Sequence, residues 1–154
     1  MAHNRIIKSD WDAESGIATI EKTSQYGIVT GIACFNDEDL PKYKNKWIGW
    51  RIAEYRADIA IQKKKVNKLK ARVEGAKMLF NQATLMSDLD DVTEDYFDIE
   101  RRVIHNIEKQ YLDEREILCS MRYHYNDYCD TLIQQRKEFL DKHEKKNKNQ
   151  NHFS

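Results

Sequence analysis

Planar rings and guanidinium groups gather at two places in this sequence. Trp47, Trp50, Arg51, Tyr55 and Arg56 lie within one short stretch, and Arg115, Arg122, Tyr123, His124, Tyr125 and Tyr128 make a second group. Rings stack on a heterocyclic base, and guanidinium forks grip phosphate through paired N–H donors. Brought together, the two groups would hold a nucleotide. The candidate ligand-binding residues are Arg56, Arg115, Arg122, Tyr123, Arg51 and Tyr55. Plainer roles compete for the same residues. Tyr55, Tyr125 and Tyr128 fall on apolar helical stripes, and Trp47 and Trp50 are placed to cover a sheet. Arg51, Arg56 and Arg122 have Glu54, Asp58 and Asp127 nearby for surface ion pairs of little energetic weight.

Other chemistry finds less support. Cys119, His124 and Cys129 are spaced five apart, so on a helix successive side chains diverge by about 140° and cannot surround one ion. Asp88, Asp90 and Asp91 open like a calcium loop, but the glycine and later glutamate such a loop needs are missing. No Gly-rich phosphate loop follows a strand, and no Ser-His-Asp or Cys-His grouping is legible. No metal, cofactor or catalytic activity is therefore expected. Three cysteines, Cys34, Cys119 and Cys129, are an odd count without a tight pair, as in reduced cytosolic proteins. No export signal or membrane span is legible either.

The elements that must position these residues follow from periodicity. The chain has 154 residues, 34% of them charged, with one proline and five glycines, which suits one domain of long helices better than a many-turned sandwich. Over residues 3–35 the apolar pattern has period two. Ile6, Ile7 and Trp11 mark one strand, Ile17 to Lys22 a second and Ile28 to Phe35 a third, with turns at Asp12 to Gly16 and Gln25 to Gly27. Both faces of this antiparallel meander carry apolar side chains, so both need cover. A polar connector spans 36–47. From Ile48 the period becomes helical, and the stripe Ile48, Ile52, Tyr55, Ile59, Val66, Leu69 and Val73 continues to Ala83 with Gln62 filling its one gap. A polar residue in such a seam sets register. Helix one is placed at 48–86, a turn at 87–91 with Asp91 and Glu94 as a capping box, helix two at 92–145, and a disordered tail at 146–154. The stripe of helix two drifts between Tyr111 and Leu118, where a change of winding is expected. The fold class is thus α+β: a small three-stranded β-meander followed by a long antiparallel α-helical hairpin, or coiled coil.

Charge and apolar width add two expectations. The formal net charge is zero, but residues 48–86 carry nine bases against three acids while 87–98 carry six acids and no base. The run Lys63, Lys64, Lys65, Lys68, Lys70 and Arg72 could meet phosphate backbones, but it lacks interleaved rings and reads better as a solvated face. Helix two has a second apolar row, Ile104, Ile107, Tyr111, Leu118, Tyr125 and Cys129, and that width asks for a homo-oligomer. If the turn centres near residue 89, Arg56 lies beside the region of Arg122, within a helical turn.

The stretch Thr30 to Ile59 resembles the first described family of phage anti-Thoeris proteins. The likeness lies in Gly31, Ala33 and Cys34 on a strand, the acidic connector Asp37-Glu38-Asp39, and Gly49, Ile52, Ala53, Arg56 and Ala57 opening a helix. It extends over about Ile17 to Val66. Asn36 stands where a proline is expected, and the hairpin is long for the family. The resemblance implies a protein of the bacterial host cytoplasm that binds and sequesters a cyclic ADP-ribose isomer made by TIR-domain immunity, without cleaving it. It further implies a homo-oligomer, from dimer to hexamer, with pockets between protomers. Arg56 is the position it transfers, whereas Arg115, Arg122 and Tyr123 rest on the register argument. The competing expectation is a coiled-coil interaction protein that binds a host or phage protein as inhibitor or assembly factor.

Overall fold

Two glycines shape the sheet. Gly16 has φ 67° and Gly27 has φ 103°, a region where a side chain is strained. Gly16 closes the first turn by donating its N–H to the Asp12 carbonyl at 2.8 Å, while the Asp12 carboxylate accepts from the Glu14 N–H at 3.0 Å. Gly27 ends a two-residue loop that Ser24 braces, its hydroxyl donating to the Gly27 carbonyl at 2.8 Å. The strands β1 (Arg5–Asp12), β2 (Ile17–Ser24) and β3 (Gly27–Cys34) form one antiparallel sheet in the order β1-β2-β3. Two long helices follow, α1 (Lys46–Ser87) and α2 (Glu94–Asn151), so the α+β class expected from the sequence holds. The computed structural model describes residues 4–35, 45–87 and 94–151. The acidic connector, residues 88–91 of the expected turn at 87–91 and the Asp91 half of the capping box lie outside these residues, while Ser87, expected in the turn, ends α1.

The boundaries differ from expectation where a local signal was missed. α1 begins two residues early because Asn45 caps it, its side-chain oxygen accepting from the Ile48 N–H at 3.0 Å. α2 stays helical to Asn151, through the stretch at 146–151 expected to be disordered. β1 contains a bulge between Ile6 and Lys8, so Ile6 and Ser9 pair with Lys22 and Ile20 on the same face although strict alternation would separate them.

The residues fall into two compact units, Met1–Asp58 with Met121–Ser154, and Ile59–Ser120. In the first, one sheet face packs on α1. Ala18, Ile20 and Ala33 of the sheet and Ala53 of α1 form a buried cluster, with Trp11, Trp50 and Ile52 against it. Small residues permit the close approach. A Cβ at Gly31 would collide with the Ala53 carbonyl and lie 2.9 Å from the Ala57 nitrogen, and one at Gly49 would lie 2.8 Å from the Ala18 Cβ. The opposite face of the sheet stays open, with Ile28 62% and Ile32 48% exposed.

In the second unit α1 and α2 run antiparallel: Gln62 meets Glu114, Lys77 meets Glu108, and Phe80 meets Phe97 further along. Ile61, Val66 and Val73 are buried from α1, Ile107 and Leu118 from α2. α2 is a continuous α-helix between Tyr111 and Leu118, where the apolar stripe drifts. Glu114 occupies the seam position instead, half-covered between Tyr111 and Leu118. Its partner is the other polar seam residue: Gln62 Nε2 donates to the Glu114 carboxylate at 2.7 Å and to its backbone carbonyl at 3.0 Å. Lys65 adds an ion pair at 3.0 Å.

Two outcomes test this packing. Gly31→Ala should destabilise the protein by about 3 kcal/mol or abolish folding, since backbone must yield. Gly75→Ala, where nothing lies within 4 Å, should instead leave stability equal or higher by denaturant titration. The Gln62 hydrogen bond, opposed by burial and aided by Lys65, holds the Glu114 carboxyl below its ordinary value of 4.5. Its contribution is therefore complete above that pH and fades as pH falls through the lowered value. Glu114→Gln should narrow its stability difference from the wild type on acidification from pH 6 to 3.

Candidate functional site

α1 begins against the sheet with its small residues Gly49, Ala53 and Ala57 facing inward, and this orientation decides where its cations point. Arg51 and Arg56 stand five residues apart, about 140° around a helix. They line two different cavities, both built within the first unit.

The larger cavity, about 450 Å³, lies on the β1 side. Trp47, Trp50, Arg51, Glu54 and Tyr128 line it, with Ile6 and Ser9 exposed to it by the β1 bulge. Trp50 is fixed by its indole N–H, which donates to the Asp10 carbonyl at 2.9 Å, and Trp47 meets it edge-on at 5.4 Å. The Arg51 guanidinium lies 5.1 Å from the centre of Tyr128 and 5.8 Å from that of Tyr55. Tyr55 and Tyr128 are tilted against each other at 5.5 Å. Burial pushes the Tyr128 phenol upward against the pull of Arg51, so Tyr128 remains a neutral donor across the physiological range.

The smaller cavity, about 210 Å³, lies on the β3 side and is lined by Arg56, Arg136 and mainly apolar side chains. Arg56 donates through Nη1 to the Ile32 carbonyl at 2.6 Å and through Nε to the Tyr125 hydroxyl at 2.9 Å. The first of these bonds caps a carbonyl of β3, an edge strand.

The expected ion pairs of Arg51 and Arg56 do not form. Glu54 and Asp58 instead take Lys22, whose ammonium lies 2.9 Å from one and 2.7 Å from the other. Lys22 projects from the helix-facing side of β2 and is only 5% exposed. The two carboxylates stand 43% and 33% exposed, so the stem is covered while the charged tip reaches the edge. With Glu54 and Asp58 committed to Lys22, Arg51 and Arg56 are left to rings, a phenol and a carbonyl.

The candidate residues therefore divide. Arg51 and Tyr55 join Tyr128 beside the larger cavity, and Arg56 lines the smaller. Arg122 and Tyr123 line neither. Both are exposed, Tyr123 to 68%, and among the described residues its ring meets His124 at 5.7 Å. Arg115 is exposed in the second unit. The register argument identified the right helical turn, but Tyr125 fills it. Arg122 sits about 60° around the helix from Tyr125, enough to aim it at solvent. Arg136 and Cys129 of the smaller cavity were not singled out as ligand residues. Their signal was the spacing Tyr125, Cys129, Leu132, Arg136, which continues the seam row. The described residues contain no cluster of His, Cys, Asp or Glu able to hold a metal ion. The chain matches no protein-family model, no curated protein and no solved structure.

Burial lowers the Lys22 ammonium, but hydrogen bonds and charge from Asp58 and Glu54 outweigh it and raise the group above its ordinary 10.5. The stabilisation is complete below that pH and is lost as pH climbs through the raised value. Lys22→Met, which keeps the stem, should be less stable than wild type at pH 8, and in urea titrations the gap should narrow as pH rises above 10.5.

Proposed function

We propose that the protein is a nucleotide-capturing protein without catalytic turnover. In this reading it sequesters a cyclic ADP-ribose-type signal made by TIR-domain immunity, as a phage counter-defence protein in the bacterial cytoplasm. The observation that carries the reading is Arg51, stacked on Tyr128 at a cavity with Trp47 and Trp50 in its wall. Among the described residues no carboxylate pairs with Arg51, so its N–H donors are open to a phosphate. The indoles supply faces for a purine. A volume of about 450 Å³ lies within the usual range for small-molecule sites. The name of the ligand rests on the resemblance over Thr30 to Ile59, and the cavity supplies only its chemistry.

Capture in this reading is binding followed by slow release. A nanomolar dissociation constant corresponds to about −12 kcal/mol, which a desolvated base and several charge-assisted hydrogen bonds supply. Trp47 is 68% exposed, and a second protomer or the ligand itself would cover it. A homo-oligomer belongs to the proposal for that reason.

A second reading has its own observation. In the second unit Met78, Leu79 and Leu85 of α1 are 58%, 64% and 74% exposed, an apolar surface that suits a protein partner. Under this reading the chain is an inhibitor or assembly factor and captures no small molecule.

The test is to incubate the purified protein with a lysate of TIR-activated cells, remove it, and release its cargo by heat for mass spectrometry. The expected result is an intact cyclic nucleotide, with release reduced at least tenfold in Arg51→Ala at unchanged helical circular dichroism. A cleaved product would mean catalysis, and full capture by Arg51→Ala would refute the assigned cavity.

A further inference from the structure

Four residues at the start of α1 share one face. Trp47, Trp50, Arg51 and Glu54 are spaced i, i+3, i+4 and i+7, and all four line the larger cavity. Trp47 precedes Arg51 by a turn and Trp50 precedes Glu54 by a turn, so the indoles occupy one turn while guanidinium and carboxylate stand side by side on the next. Glu54 gives Lys22 only one of its oxygens, Oε1, at 2.9 Å, and Lys22 is shared with Asp58 at 2.7 Å. The other oxygen, Oε2, accepts no hydrogen bond among the described residues. The side chain is 43% exposed, so that oxygen is open to an incoming donor. A bare carboxylate beside Arg51 would repel a phosphate, but the Lys22 ammonium offsets its charge and leaves an acceptor. A ligand that matches this face donates hydrogen bonds close to an anion. Sugar hydroxyls of a nucleoside phosphate stand in that relation to the phosphorus, with the base beyond them. Ser9 adds a hydroxyl to the same cavity from β1.

We infer that Glu54 reads the ribose hydroxyls of a nucleotide held in the larger cavity, and so selects ribonucleotides over forms that lack those hydroxyls. This rests on the nucleotide reading of that cavity. Arg51, stacked on Tyr128, takes the phosphate, the indoles take the base, and Glu54 accepts from the sugar through Oε2. Lys22 is a positioning residue that holds the carboxylate by its other oxygen. Because Glu54 is half-exposed, water can stand in for a missing hydroxyl. The discrimination is therefore about tenfold, well below the ratio of a dry site.

The probes are ADP, its dideoxy form lacking both ribose hydroxyls, and inosine diphosphate, which lacks the base amine. Calorimetric titration of the full chain should show ADP binding about tenfold more tightly than dideoxy-ADP and within about threefold of inosine diphosphate. Glu54→Gln should shrink the preference for ADP over dideoxy-ADP to less than about threefold. The ratio is the readout, because removing a negative charge strengthens the binding of every phosphate. Asp58→Asn removes the other Lys22 partner but lies outside the cavity lining, and it should keep the wild-type ratio. Equal affinity for ADP and dideoxy-ADP, or a preference that survives in Glu54→Gln, would overturn the assignment and leave the nucleotide reading in place. A tenfold preference for ADP over inosine diphosphate that is lost in Glu54→Gln would also overturn it, since the carboxylate would then be reading the base. If ADP does not bind at all, this inference falls, and capture of an intact cyclic nucleotide from the lysate decides the nucleotide reading separately.

Discussion

The close contact between the backbone of α1 and β3 governs the first unit. At Gly31 no side chain separates strand from helix, and Ala53 and Ala57 are fully buried above it. Helix on sheet usually meets through interlocking large side chains, with some 10 Å between layers. Here glycine and alanine remove that layer, and hydrophobic gain per residue is correspondingly small. What the contact supplies is orientation. With Gly49, Ala53 and Ala57 turned to the sheet, α1 cannot rotate without driving a larger side chain into backbone. Arg51 and Arg56 are thereby held on opposite flanks, each at its own cavity.

Electrostatics follows from that orientation. Glu54 and Asp58 are four apart on α1 and both reach over β2, where Lys22 rises between them. A lysine at this covered position would be costly alone, since desolvation disfavours its charge. The two carboxylates offset the cost, and they are thereby withdrawn from Arg51 and Arg56. One buried cation thus keeps two surface cations available. The same exchange explains why nearest-neighbour pairing along the helix misplaced the ion pairs: Glu54 is three residues from Arg51, but the sheet offers it a less solvated partner.

Much of this architecture was legible from periodicity. The three strands, their turns at Gly16 and Gly27, and the extent of α1 followed from alternation and a helical stripe. Features that depend on a single residue breaking a pattern were harder to see. The β1 bulge shifts Ile6 and Ser9 to one face, and nothing in Arg5 to Asp12 announces it. Glu114 interrupts the apolar stripe of α2 because it is a polar residue on the seam. Gln62 is the matching polar position on α1, and such a residue commonly seeks a polar partner across the seam, here Glu114. For the site, register placed the correct helical turn opposite Arg56 but not the correct side of it, because Arg122 and Tyr125 differ by an angle that residue counting does not resolve.

The motif behind the family resemblance takes on a different meaning once the packing is known. Gly31, Ala33, Gly49, Ala53 and Ala57 are all positions where strand and helix touch or nearly touch. A spacing of small residues like this is what any chain would need to seat a helix directly on a short sheet, whatever it binds. Arg56 is the charged motif member that faces a cavity, beside Ala33, Cys34 and Ile52, and even it donates to the Ile32 carbonyl and so guards a strand edge. The residues best arranged for a base and a phosphate, Trp47, Trp50, Arg51 and Tyr128, lie outside the motif. Likeness in the motif therefore bears on how the chain folds. The identity of any ligand is carried by side chains that flank the contact, where the packing leaves the sequence free to vary.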